Sequence, residues 1–188
     1  MPDVDPVPDP LAETRAWVEL AVIGLNLCPF AKGPQVKGQV RYVLSSATDR
    51  DALRADLDAE LRHLAATPAD TTETTLLVHP GVLQDFFDYN GFLDEADAAV
   101  AGLGLEGEIQ VASFHPQYQF AGTDADDIEN ATNQSPYPTL HLIREASIDR
   151  AVQAFPEAES IYEVNMETMR RLGPEGWAAL CERIRRGM

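Results

Sequence analysis

Lysine is nearly missing from this chain: Lys32 and Lys37 stand alone against 31 acidic residues, and the formal net charge is −17. So negative a surface repels phosphate backbones and anionic lipid, which argues against non-specific nucleic-acid binding and basic-patch membrane attachment. Cysteine is equally scarce. Cys28 and Cys181 form no CxxC pair, so the expectation is free thiols in a reducing, cytoplasmic compartment rather than a disulfide framework. Long apolar runs are also lacking, because the longest, around Val18 to Phe30, is interrupted by Glu19 and Asn26 and is too short to span a bilayer. Residues 1–10 are acidic and proline-rich, with neither the basic start nor the apolar stretch of a secretory signal. Nor is there a GxGxxG after a strand, a Walker-type GxxxxGK, an HExxH or a GxSxG, which counts against standard nucleotide-binding, zinc-protease and serine-hydrolase readings.

What is present is an ordinary core. Hydrophobic residues make up 45% of 188 positions, enough to outweigh the charge and to fill one domain. The expectation is a disordered lead-in over 1–10 and a single α/β domain over 11–188. Helical spacing from Leu11 runs through Trp17, Ala21 and Leu25 towards Pro29, whose ring should stop the helix. Residues 31–39 then read as loop. Strands are expected at 40–44, 76–79, 109–114 and 139–144. Between them a helix opens at a Thr48/Asp51 capping box and buries Leu53, Leu57, Leu61 and Leu64. Another carries Leu83, Phe86, Phe87, Leu93, Ala96 and Val100 inward, with a break expected at Asn90-Gly91. Thr123 with Asp126 suggests a short capped helix through Ala131. Further helices begin at Ser147, Ser160 and Pro174, with Gly173 at a C-cap. Strands alternating with long helices imply an approximately four-stranded mixed or partly parallel sheet, helices packed on it, and a C-terminal helical extension.

Two strands end in the same dipeptide, His79-Pro80 and His115-Pro116. Ligands collect outside the carboxyl ends of parallel strands, so neighbouring strands would bring both imidazoles to one cleft. Histidine serves there as acid, base or metal ligand, although a strand-ending histidine bonded to a nearby carbonyl is an equally ordinary outcome. His141 falls on the face opposite Leu140 and Leu142. Cys28 ends the first helix. The two lysines, Lys32 and Lys37, with Arg41 behind them, follow it closely and could attract an anion. The stretch between His115 and Pro138 is long for a compact domain. It holds Tyr118, Phe120 and Tyr137 with the amides of Asn130 and Asn133. Arg144, with Glu145, closes the last strand and could hold a carboxylate or simply pair at the surface.

The blocks Asn26-Leu27-Cys28-Pro29-Phe30-Ala31, Phe114-His115-Pro116-Gln117-Tyr118 and Asn133-Gln134-Ser135-Pro136-Tyr137-Pro138-Thr139-Leu140-His141-Leu142 carry a resemblance. The chain resembles an uncharacterised family of bacterial and plastid proteins, the domain of unknown function 1415 family, over nearly all its length beyond the N-terminal tail. The resemblance implies that Cys28, His115, Asn133, Tyr137 and His141 belong to the family's motif blocks, and it implies no activity. The family pattern has arginine where this chain has Gln134, which puts an anion-binding role at that position in doubt.

Three functions remain in view. The first is a small-molecule enzyme with a cleft at the strand ends, combining His115, Cys28 and His79 as catalytic groups. An anionic substrate would be gathered by Lys32, Lys37, Arg41, Tyr118, Asn130, Asn133, Tyr137 and Arg144. The second is a transition-metal or haem protein without turnover, with His79, His115 and His141 as ligands. The third is an interaction module built on the 115–138 loop.

Overall fold

A computed structural model describes residues 8–155 and 160–187 of the chain. Of the expected N-terminal lead-in, residues 1–7 lie outside that range, as does Pro156, the expected stop of one helix. The first helix, α1 (Pro10–Trp17), starts earlier than the hydrophobic spacing indicates, because the Asp9 carboxylate accepts the Leu11 and Ala12 amides and caps it. It widens into a π-helical segment over Val18–Ile23. The helical run ends there, before Pro29: Asn26 adopts a left-handed backbone (φ 54°) in the turn that follows. Proline is therefore not the terminator, and Cys28 lies in this turn rather than at a helix end. The expected loop at 31–39 contains a short helix, α2 (Lys32–Val36).

Four strands, β1 (Val40–Leu44), β2 (Thr74–Val78), β3 (Ile109–Phe114) and β4 (Thr139–Arg144), form one mixed sheet in the order β1-β2-β4-β3. The pair β1/β2 is parallel, with Val40 opposite Thr74, and β4 runs antiparallel to both β2 and β3. Helix α3 (Arg50–Ala66) supplies the crossover from β1 to β2, and α4 (Phe86–Gly102) the passage from β2 to β3. Their caps are Asp49, which accepts the Ala52 amide in place of the expected Thr48 box, and Asp85, which accepts the Phe87 and Asp88 amides.

Each face of the sheet has its own core. On one, Leu53, Leu57, Leu61 and Leu64 of α3 and Tyr89 and Phe92 of α4 cover Leu77, Leu140 and Leu142. Full burial of each of those leucines contributes about 1.5–3 kcal/mol relative to exposure. On α4 the inward stripe is shifted from the expected one. Tyr89 and Phe92 point in, Phe87 is 79% exposed, and Asn90-Gly91 sits on the outer side of an unbroken helix. The other face packs Tyr42, Leu76 and Phe114 beneath Trp17, Val18 and Ala21 and beneath Leu180 and Ile184 of the C-terminal helix. That helix, α6 (Ile161–Arg185), follows α5 (Glu145–Ala154). It is two rods joined at Gly173 (φ 70°, ψ 171°) and Pro174, where the sequence places its break.

Candidate functional site

Strands β1, β2 and β3 all point one way, so Val78 and Phe114 end at the same edge, with Thr139 at the start of β4 opposite both. His79 and His115 follow directly. They share an edge although β2 and β3 are not neighbours. Tyr89 of α4 bridges them, its ring 5.8 Å from that of His79 and 5.0 Å from that of His115. Its hydroxyl donates to the Thr139 carbonyl at 2.7 Å and accepts the Phe114 amide at 3.0 Å, tying α4 to the facing ends of β3 and β4.

This edge is sealed, not open. His115 is 1% exposed; its Nδ1 accepts the Gln117 amide at 3.0 Å, so Nε2 carries the proton and donates it to the Leu83 carbonyl at 3.0 Å. Both nitrogens are thus held by backbone, and neither is available to a substrate. His79 is fully buried; Nδ1 donates to the Val82 carbonyl at 3.1 Å, and Nε2 is buried with no partner among the described residues. Burial pushes the His79 pKa down to about 4 and also lowers that of His115. At Gly81 an added Cβ would lie 2.8 Å from the Ala47 carbonyl, so the loop after β1 closes directly on the turn after β2.

The other expected partners sit elsewhere. Cys28 belongs to the α1/α6 layer, where its backbone bonds to Val22 and Ala31 and its neighbour Leu27 packs on Ala131 and Met169. Both imidazoles turn instead towards α4. Among the described residues no hydrogen bond joins Cys28 to either imidazole, and burial raises the Cys28 thiol pKa rather than activating it. His141 faces Phe114 on the opposite side of the sheet, its Nε2 donating to Thr74 Oγ1 at 2.7 Å while that hydroxyl donates to the Leu142 carbonyl. His141 thus stands apart from His79 and His115, whose rings pack on Tyr89. Among the described residues, no three His, Cys, Asp or Glu side chains gather to hold a metal ion.

The basic residues do not surround the histidines either. Arg41 is clamped by Glu60 at 2.8 and 3.1 Å. Lys32 opens α2 and Lys37 follows it, just before the start of β1. Arg144 pairs with Ile109 at the opposite edge of the sheet and donates to the carbonyls of Leu64, Thr67 and Thr72, tying down the end of α3. In the 115–138 loop, Tyr118 packs on Phe86 and Phe120. Asn130, fully buried, accepts from the Phe120 amide and Thr123 Oγ1 and donates to the Asp124 carbonyl. It staples the loop, with a 3₁₀ turn at Ile128–Asn133 in place of the expected helix. Asn133 reaches back to the Ser113 carbonyl at 3.4 Å.

Two depressions open beside this loop, and both are lined by Pro116 and Gln134. The first, about 360 Å³, lies between Asp85, Phe86 and Phe87 and the Gln117–Gln119 segment. The second, about 320 Å³, lies between α1, the end of α6 and the Ser135–Tyr137 turn. Its walls include Trp17, Trp177 and Ile184, and its polar groups are Glu13, Gln134, Ser135, Tyr137, Cys181 and Arg185. Glu13 is 9% exposed and its Oε1 accepts the Tyr137 hydroxyl at 3.1 Å. Burial, reinforced by that carboxylate, pushes the Tyr137 pKa up to about 12 and keeps the phenol protonated.

Glu13, Trp177 and Arg185 were not among the residues the sequence singled out for chemistry. One signal was there: Glu13 lies four residues before Trp17, so a helical reading puts a carboxylate on the same face as a core tryptophan. No helix among the described residues is long and apolar enough to cross a membrane.

The mixed sheet, its two helical layers and the cleft beside the β4 entry define an α/β protein with a small-molecule-sized recess. The chain belongs to the family described as Protein of unknown function (DUF1415), whose profile matches residues 9–179. Searches of curated proteins and of solved structures return no similar chain.

Proposed function

We propose that this protein binds a small organic molecule in the second depression, with the Glu13–Tyr137 pair as its polar anchor. The supporting observation is a nearly buried carboxylate held by a protonated phenol on the wall of a recess that also presents two tryptophans, two prolines and an isoleucine, with Gln134, Ser135, Cys181 and Arg185 as its further polar groups. Binding sites combine mostly apolar walls with a few placed polar groups, and this recess has that composition. Motif residues Pro116, Gln134, Ser135, Pro136 and Tyr137 all line it. A carboxylate acceptor beside a phenolic donor also furnishes an acid–base pair, so turnover of the bound molecule would proceed here and not at the histidines. A net charge of −17 supports a small ligand over a nucleic acid, and two free cysteines support a reducing, cytoplasmic setting.

The chain contains two tryptophans, and both line this recess. A library of small molecules followed by the two indole N–H resonances therefore reads the site directly. Hits that move Trp177, and that weaken in Tyr137→Phe, support the reading. Hits that bind while leaving both indoles unmoved would place the ligand site elsewhere.

A further inference from the structure

Two opposite charges line this recess without neutralising each other. Glu13 has the neutral Tyr137 hydroxyl as its side-chain partner, and Arg185, on the last turn of α6, donates from Nε to the Cys181 carbonyl at 3.4 Å. Among the described residues neither enters an ion pair, whereas Arg41, Arg50, Arg54, Arg150 and Arg170 each meet a carboxylate. Arg185 is solvent-exposed and lines the recess, so its guanidinium can reach a ligand from the mouth. One phenol occupies only one of the roughly four acceptor positions of the Glu13 carboxylate, which leaves the others open to a ligand's donors.

We propose, resting on the binding reading above, that the ligand is a small amino-acid-like zwitterion. Its ammonium meets Glu13, its carboxylate meets Arg185, and its side chain lies against Trp177 and Ile184. An ammonium completes the acceptor positions of Glu13 and can also face the indole and phenol rings, which attract cations. A guanidinium presents a forked set of donors to a carboxylate. The recess, about 320 Å³, sits at the small end of ligand pockets, which suits an amino acid.

The test titrates the full chain with the twenty free amino acids, following both indole resonances. The best binder is then compared with its N-acetyl derivative, which lacks the ammonium, and its amide, which lacks the carboxylate. Each cap is expected to weaken binding by about tenfold or more, the scale of one charge-assisted contact. In Glu13→Gln the N-acetyl penalty disappears, and in Arg185→Gln the amide penalty disappears. The ligand series in the unaltered protein makes the test independent of whether either variant folds. Capped derivatives binding as tightly as the free amino acid would overturn the proposal. Neutral library molecules that shift the indoles while no amino acid does would overturn it too, yet leave the binding site standing. Silence from both sets would overturn the site and the ligand class together.

Discussion

The Tyr137 hydroxyl meets the Glu13 carboxylate at 3.1 Å across 124 positions of sequence, joining the first helix to the turn that leads into β4. The bond fixes one wall of the recess, and it has a consequence in alkali. The folded-state pKa of Tyr137, about 12, lies above the ordinary 10.0, so its contribution is complete below pH 10 and is lost as pH rises through about 12. Urea midpoints measured across that window should therefore fall less steeply in Tyr137→Phe than in the unaltered chain. Equal slopes would show that the phenol carries no such linkage. Tyr42 and Tyr89, whose pKa values are also raised by burial, act in the same direction and are unchanged by the substitution.

The buried histidines set the acid limb. His79 and His141 are both lowered from 6.5 to about 4, so between those values the unfolded chain binds protons that the folded chain refuses. Their contribution is present above pH 6.5 and is lost as pH falls towards 4. Imidazole resonances of both residues should remain those of the neutral ring until the pH nears about 4. Titration in the ordinary range would contradict the burial described. His79→Asn, which retains a donor near the Nδ1 position for the Val82 carbonyl, should reduce the slope of stability against pH in that window.

Arg144 acts as a clasp, not a ligand group. It donates to three backbone carbonyls near the end of α3, and its loss leaves them without their charged donor. Arg144→Ala should cost about 1.5–3 kcal/mol in chemical denaturation, the range for hydrogen bonds from a charged group. Arg144→Lys should recover only part, since an ammonium cannot reproduce the planar fork. Ligand affinity in the recess should stay unchanged in folded Arg144→Lys, and a loss there would contradict the assignment.

Cys28 should be slow towards thiol reagents at neutral pH. Its thiol pKa is raised mainly by burial, against smaller lowering by the Phe30 and Ala31 amides. Alkylation of the native protein should accelerate on unfolding. A native rate above that of an unfolded control would restore Cys28 as a nucleophile.

The sequence made the sheet legible because its signals are local: Leu53, Leu57, Leu61 and Leu64 lie on one helical stripe, and β1, β3 and β4 begin and end where the alternating segments do. A shared cleft for His79 and His115 was expected only if their strands were neighbours; the strands are parallel but β4 stands between them, and both rings pack on Tyr89 instead. What the sequence could not show was the state of those rings, because the carbonyls of Val82 and Leu83 that hold them lie in a turn with Leu83 at φ 57°. The first helix was drawn too long since proline is a visible breaker, whereas the π-helical widening and the left-handed Asn26 leave no comparable pattern. The recess escaped notice for a different reason. Its walls come from residues near 13, 135 and 181, and no local periodicity connects them.

The most direct test of the account is a crystal of the full chain soaked with a mixed set of small organic fragments. The account predicts electron density between Glu13, Tyr137 and Trp177, with a cationic or hydrogen-bond-donating group on the Glu13 carboxylate. Density confined to the depression beside Phe87, or to the α2 surface near Lys32 and Lys37, with the Glu13 recess empty, would contradict it.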